Sequence, residues 1–265
     1  VVVSAPTGSG KTLIGEYAIH SALAHGQKVF YTTPLKALSN QKLRDFRDQF
    51  GAENVGLMTG DLSVNREASI VVMTTEIFRN MLYAEADEHD DPLADVEAVV
   101  LDECHYMNDS QRGTVWEESI IHCPPMVQLV ALSATVANAG QLTDWIEKVH
   151  GPTTLVMSDH RPVPLRFSFC SAKGLHPLLN EAGTGLHPNC KVWRAPKGHK
   201  RKGRSQRPPQ PEPPPISFVV AQMAERQMLP AIYFIFSRRG CDKAVRDLGV
   251  QLSLIHISEP TRLSW

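Results

Sequence analysis

Val1-Val2-Val3-Ser4-Ala5-Pro6-Thr7-Gly8-Ser9-Gly10-Lys11-Thr12 is the stretch that decides how the rest of the chain is read. A short β-branched run ends in small residues, and a helical pattern follows at once. Gly8 and Gly10 let a turn wrap tightly, so that successive backbone N–H groups converge on one point. A helix N-terminus behind such a turn adds its positive dipole end. Together these make a cradle for phosphate oxygens. Lys11 reaches the outer phosphates and the Thr12 hydroxyl suits Mg²⁺. Ala5, Pro6, Thr7 and Ser9 complete the loop. Ala5 stands where the general motif has glycine, but the Gly8-x-Gly10-Lys11-Thr12 core is intact.

Working outward, short apolar runs alternate with helical patterns. Val1–Ala5, Lys28–Thr33, Val55–Thr59, Ile70–Thr74, Ala98–Asp102 and Val127–Leu132 read as strands. They are nearly continuous in apolar residues, as parallel strands covered on both faces are. Thr12–His25, Leu35–Phe50, Glu76–Ala86, Val115–His122 and Gln141–Val149 read as helices, with Gly26 and Gly51 at C-terminal glycine positions. In the first helix Leu13, Ile14, Tyr17, Ala18 and Ala22 are expected to share the buried face. Strand–helix alternation on this scale predicts an α/β fold, a doubly wound parallel sheet, here with a P-loop after its first strand.

Val99-Val100-Leu101-Asp102-Glu103-Cys104-His105 supplies the chemistry the loop lacks. An apolar strand delivers two acids at its carboxyl end, where open α/β sheets bind ligands. Asp102 is placed to hold the metal, and Glu103 to orient and deprotonate water. Other strand ends carry small polar residues: Thr33-Pro34-Leu35-Lys36, Thr59-Gly60-Asp61, Thr74-Thr75-Glu76 and Ser133-Ala134-Thr135. Taken singly they are ordinary caps. Taken together along one sheet edge, Pro34, Lys36, Thr59, Gly60, Thr74 and Thr75 would form a track for a nucleic-acid backbone. No base-reading cluster accompanies them, so binding should be largely independent of base sequence.

The ordered set Ala5–Thr12, Thr33–Leu38, Thr59–Asp61, Thr74–Glu76, Asp102–His105, Ser133–Thr135 and Phe236–Arg238 resembles a superfamily-two helicase of the DExH-box class. The phrase Pro34-Leu35-Lys36-Ala37-Leu38-Ser39-Asn40-Gln41 and the stretch His160–Leu165 are similar to the superkiller-like, antiviral and exosome-associated branch. The resemblance covers Val1–Gln251. It implies ATP with Mg²⁺ between two RecA-like domains, and translocation on single-stranded or duplex nucleic acid, RNA ahead of DNA, in the 3′→5′ direction. It implies catalytic roles for Lys11, Asp102, Glu103 and His105, and coupling of hydrolysis to strand movement through Ser133, Ala134 and Thr135. Ser237 and Arg238 join the track by the same resemblance. A DNA-repair helicase of the same superfamily and a non-catalytic P-loop binding module stand as alternatives. Intact Lys11, Asp102 and Glu103 speak against the module.

The expected organisation is a first RecA-like domain over 1–157, a connecting segment over 158–215, and the start of a second RecA-like domain over 216–251. In that second part a helix at about Ser217–Leu229, a strand at Ala231–Phe236 and a helix at about Arg239–Leu248 are expected, after one strand at Leu165–Cys170. Lys197–Arg207 is basic and Pro208–Pro215 is mostly proline, so 197–215 reads as a disordered insertion, a solvated linker or a phosphate contact. Glu85–Asp95 reads as an acidic, solvated loop. Leu252–Arg262 resembles the translation of a sequencing-library adapter, so 252–265 is set aside as a non-native tail. The chain begins without Met and is expected to be part of something longer. The resemblance implies that a piece lacking the later motifs binds nucleotide weakly and does not unwind.

Composition excludes other classes. Apolar residues are 42% and charged residues 21%, which argues against wholesale disorder. A net charge of -1 excludes attachment to nucleic acid by bulk positive charge, though not a local basic groove. No apolar run approaches the roughly 18 residues of a membrane span. Five widely spaced cysteines without C-x-x-C suggest reduced thiols and a cytoplasmic location. Cys170, His176, His187 and Cys190 match no standard zinc spacing, and no zinc is expected.

Overall fold

The computed structural model describes residues 1–83, 92–109, 112–190 and 213–252. The core of the expected acidic loop, most of the basic–proline stretch and all but the first residue of the tail lie outside them. The chain divides into two compact units, Val1–Pro164 and Leu165–Trp265.

The first unit is built on β1 (Val2–Ser4), α1 (Thr12–Ala24), β2 (Lys28–Thr33), α2 (Lys36–Phe50), β3 (Val55–Met58), β4 (Ser63–Val64) and β5 (Ile70–Thr74). It continues through α3 (Thr75–Tyr83), β6 (Val96–Leu101), α4 (Gly113–His122), β7 (Gln128–Ser133), α5 (Ala139–Val149) and β8 (Leu155–Met157). The eight strands form one sheet in the order β4-β3-β5-β2-β6-β7-β1-β8. All neighbours are parallel except β4, which folds back on β3.

The apolar runs are continuous because alternate residues enter two different cores. Val2, Phe30, Val71, Met73, Val99 and Leu101 face one side, with Phe78 of α3, Trp116 of α4 and Ile146 of α5. Val3, Val29, Tyr31, Val72, Val100 and Leu132 face the other, with Ile19 of α1 and Phe46 of α2. Each strand residue therefore leaves water on one face or the other, which selects β-branched side chains throughout.

Within this unit two strands escape the sequence reading. β4 is two residues long, and β8 is a half-exposed edge strand, with Val156 47% exposed. Neither has the buried signature of a central strand. The unit also runs on past β8 to Pro164, and Arg161 Nη1 donates to the Thr7 carbonyl at 3.4 Å.

The expected buried face of α1 is wrong in part. Leu13 and Tyr17 are 68% and 75% exposed, while Gly15, Ala18, Ile19 and Ala22 are buried. The reason is the close approach of α1 to the sheet. A Cβ on Gly15 would lie 2.9 Å from Tyr31 Cε2. The helix therefore turns its smallest residues inward, where a stripe through Leu13 and Tyr17 would hold it away.

In the second unit β9 (Ser168–Ser171) and β10 (Gly174–Pro177) form an antiparallel hairpin. Two helices follow, α6 (Ile216–Glu225) and α7 (Arg238–Leu252). Arg226 donates to the Leu175 carbonyl and the Gln222 side chain accepts from Leu175 N at 3.4 Å, tying α6 to the hairpin. The helix stops short of Leu229, and Gln227 takes φ +57 just beyond it. The expected strand Ala231–Phe236 is not formed. A strand is defined by the neighbour that completes its ladder, and the described residues of this unit hold only the β9–β10 sheet. Ile232 and Phe236 are fully or largely exposed as a result.

The cysteines are all free, and burial pushes the Cys104 and Cys123 thiols up to about 12. Among the described residues no helix is long and apolar enough to cross a membrane.

Candidate functional site

Parallel strands put all their carboxyl ends on one edge, and the sheet order sorts what those ends carry. Along that edge lie Thr59 after β3, Thr74 of β5, Thr33 of β2, Asp102 after β6, Ser133 of β7 and the Ala5–Thr12 loop after β1. Of the residues read as a nucleic-acid track, Pro34, Lys36, Thr59, Gly60, Thr74 and Thr75 lie at the ends of three adjacent strands. Those read as a nucleotide site occupy the next three.

In the nucleotide half, Gly8 and Gly10 take φ of +83 and +86. At Gly8 a Cβ would meet nothing within 4 Å, so the backbone angle selects glycine there. Ser9 N donates to the Pro6 carbonyl at 3.1 Å, closing the turn. Lys11 Nζ donates to the carbonyls of Ala5 at 2.8 Å and Pro6 at 3.1 Å. Burial draws the Lys11 pKa down, with Glu103 and Asp102 pulling the other way. Ala5, Ser9, Gly10 and Lys11 border a cavity of about 150 Å³ whose far wall is Val156 and Ser158.

Asp102 has both carboxylate oxygens engaged. Tyr31 Oη donates to Oδ2 at 2.8 Å and Glu103 N donates to Oδ1 at 2.9 Å. Burial and the Asp102 charge push the Tyr31 phenol well above its ordinary range, so it stays a donor. Thr12 Oγ1 accepts from Lys42 Nζ at 3.2 Å.

Glu103 takes a left-handed backbone, φ +54, uncommon for a residue with a side chain. That turn separates the two acids in direction. Glu103 Oε2 comes within 3.2 Å of His105 Nδ1, yet it is buried without a hydrogen-bond partner. Ala134 N donates to the same His105 nitrogen at 3.4 Å. A nitrogen that accepts from Ala134 has no proton for Glu103, which reconciles the two contacts.

The Ser133–Thr135 segment is bound to the loop as well as to His105. Ser133 O accepts from Ala5 N at 3.1 Å, Ser133 Oγ donates to the Ala134 carbonyl at 2.9 Å, and Ser4 Oγ accepts from Val136 N at 3.4 Å. Thr135 is exposed.

The track half is organised differently. Thr74 and Thr75 are buried, and Thr75 Oγ1 donates to the Thr33 carbonyl at 3.3 Å. Thr33 Oγ1 and Ser39 Oγ lie 2.7 Å apart. These hydroxyls pin the strand tips, leaving the backbone N–H groups at the starts of α2 and α3 as the groups available there. Lys36 Nζ pairs with Asp61 Oδ1 at 2.9 Å over Gly60, and Thr59 Oγ1 donates to the same oxygen at 3.0 Å. Those two hydrogen bonds hold the Asp61 carboxyl below its ordinary range. Pro34 is linked through Arg112, whose Nη2 donates to its carbonyl at 2.7 Å and whose Nε donates to Glu76 Oε1 at 3.1 Å. Nη2 also reaches the Glu76 oxygen.

Ser237 and Arg238 belong to the second unit. Ser237 Oγ accepts from Gly240 N at 3.0 Å as the cap of α7. His176 and His187 stack with ring centroids 5.6 Å apart, while Cys190 Sγ contacts the Pro177 carbonyl. Among the described residues no three metal-binding side chains converge.

Sequence reasoning missed Tyr31, Lys42, Arg112 and Ser4. Tyr31 left a signal, since a buried phenol in an apolar strand needs a partner. Lys42 and Arg112 lie inside ordinary polar stretches and left none.

Known proteins are similar to this chain in sequence. The chain is 46% identical over 284 residues to the DExH-box ATP-dependent RNA helicase DExH15, chloroplastic, of Arabidopsis thaliana, covering 93% of this chain and 24% of that protein. It is 42% identical to the exosome RNA helicase MTR4 of Homo sapiens, covering 91% and 23%. It is 46% identical to the antiviral helicase SKI2 of Saccharomyces cerevisiae, covering 71% and 14%. The chain thus spans about a quarter or less of the length of these relatives. Residues 1–142, from β1 into α5, match the DEAD/DEAH box helicase family, and it is to this family that the chain belongs.

Proposed function

We propose that this chain is the nucleotide-binding motor portion of an ATP-dependent RNA helicase, coupling ATP hydrolysis to movement along a nucleic-acid strand. The observation that carries the reading is the sorting of the sheet edge: phosphate loop, acid pair and Ser133–Thr135 on three adjacent strands, track residues on the next three. The relatives named as RNA helicases support RNA ahead of DNA.

The residues present fit a magnesium nucleotide. Ser9 Oγ, in the loop with Lys11, and Glu103 Oε2, next in sequence to Asp102, are buried polar atoms without partners. The loop amides and Lys11 take the phosphates. Thr12 and Asp102 would hold Mg²⁺, which when bound would offset charge on the outer phosphates. Glu103, turned away from Asp102 by its left-handed backbone, orients water and accepts its proton. His105 touches both Glu103 and Ala134, so a change at the acid pair is felt at Ser133–Thr135 and, through Ser133 O and Ala5 N, at the loop. Lys36 and the helix N-termini of α2 and α3 take strand phosphates by charge and backbone donors, without reading bases.

The test is Glu103→Gln in the full-length protein. RNA-stimulated ATP hydrolysis should fall by about 10²–10⁴-fold while nucleotide binding persists. Unchanged turnover would remove the catalytic assignment. Stimulation by DNA and not by RNA would move the substrate to DNA.

A further inference from the structure

The two residues read as metal ligands, Thr12 and Asp102, are each held by a neighbour from outside the two motifs. Tyr31 holds Asp102 Oδ2 at 2.8 Å, and Lys42 holds Thr12 Oγ1 at 3.2 Å. The neighbours form one assembly. Lys42 Nζ lies 5.4 Å from the Tyr31 ring centroid and 5.6 Å from that of Phe46. The two rings meet edge to face, 5.0 Å apart. β2 and α2 thus carry a cation to the hydroxyl that opens α1.

A hydroxyl oxygen that accepts from an ammonium has a lone pair committed. Magnesium takes oxygen ligands at about 2.0–2.1 Å. Ion and ammonium sharing Thr12 Oγ1 would therefore stand no more than about 5 Å apart, with like charge and little water between. A triphosphate brings the negative charge that offsets this repulsion. The rings of Tyr31 and Phe46 lie beside the ammonium in this same position, so it can move off the oxygen and keep a favourable contact without returning fully to water.

We propose that Lys42 competes with magnesium for the Thr12 hydroxyl, so that the metal enters with the triphosphate rather than ahead of it. The inference rests on the reading of Thr12 and Asp102 as metal ligands. Lys42 is a positioning residue, since it touches Thr12 and no reacting atom.

The measurement is binding of a fluorescent, non-hydrolysable ATP analogue to the full-length protein during a Mg²⁺ titration. Lys42→Met keeps length and ring contact but removes the charge. Lys42→Arg keeps the charge. The Mg²⁺ midpoint should fall by about tenfold in Lys42→Met and stay near wild type in Lys42→Arg, with magnesium-free nucleotide affinity unchanged in both. An unchanged midpoint in Lys42→Met overturns the inference. So does an equal loss of affinity with and without Mg²⁺, which makes Lys42 a phosphate contact. A wild-type protein whose nucleotide binding ignores Mg²⁺ removes the metal-ligand reading itself, and the inference with it.

Discussion

The two halves of the sheet edge use the same residue types in opposite ways. In the nucleotide half, buried polar atoms such as Ser9 Oγ and Glu103 Oε2 are left without partners, and Lys11 is held by two carbonyls that it can exchange. In the track half the strand-end hydroxyls of Thr33, Ser39 and Thr75 are spent on each other and on the backbone, and the buried atoms without partners, Thr32 Oγ1 and Arg47 Nε, belong to the penultimate residue of β2 and the last turn of α2. Lys36 and Asp61 stand out in solvent. An unpartnered buried polar group is costly unless something arrives to satisfy it. The nucleotide half therefore carries the marks of a site that receives a ligand in detail. The track half carries those of a rigid rail that presents charge and backbone amides to any strand.

The comparison can be broken most severely at Arg112. Arg112→Ala strands the Glu76 carboxylate and frees the Pro34 carbonyl at the junction of β2, β5 and α3. Loss of charge-assisted hydrogen bonds of this kind costs about 1.5–3 kcal/mol, read as a drop in the chemical-denaturation midpoint. Arg112→Lys should recover little, because one ammonium does not reproduce a planar fork spanning two acceptors. If the lysine variant matches wild type, the rail is not held by that fork.

A smaller effect is expected from Gly15→Ala, in the nucleotide half. The added methyl meets Tyr31 Cε2 at 2.9 Å and Val100 Cγ1 at 3.4 Å. Overpacking costs about 1–3 kcal/mol, and the helix propensity of alanine returns up to about 1 kcal/mol. The net loss should appear in thermal denaturation with helical content unchanged. Because Tyr31 Oη is bonded to Asp102, nucleotide affinity should fall together with stability. A variant that loses stability alone would separate the packing of Tyr31 from the site.

The smallest effect belongs to Lys36→Ala, which sharpens the comparison. Its partner Asp61 is solvent-exposed, so thermal stability should not change. Nucleic-acid binding should weaken a few-fold and evenly across base sequences, with the salt slope reduced by about 1. An unaltered slope would take Lys36 off the track.

Much of this was legible in the residues. The six central strands appear close to their expected bounds because both of their faces are buried, so apolar continuity marks them. The loop glycines and the Asp102–Glu103 pair announce themselves by type and spacing. The failures have physical causes. β8 and β4 lie at or near the sheet edge and lack that continuity. Leu13 and Tyr17 look like core residues, but the contact of α1 with Tyr31 requires Gly15 there instead. Ala231–Phe236 has strand composition without a ladder to join.

By itself the sequence determined the elements and the chemistry available at each strand end, because these follow from local periodicity and residue type. It interleaves them, however: loop at 5–12, track residues from 34 to 75, then Asp102 and Ser133. Only the tertiary structure separated them, since strand order is set by ladders between distant segments. The chain leaves β1, crosses beyond two positions later filled by β7 and β6, and lays down β2. That crossover puts Asp102 and Ser133 beside the loop and gathers Lys36, Gly60 and Thr75 on the far side. It also brings Lys42 from α2 to the hydroxyl of Thr12, thirty residues away in sequence.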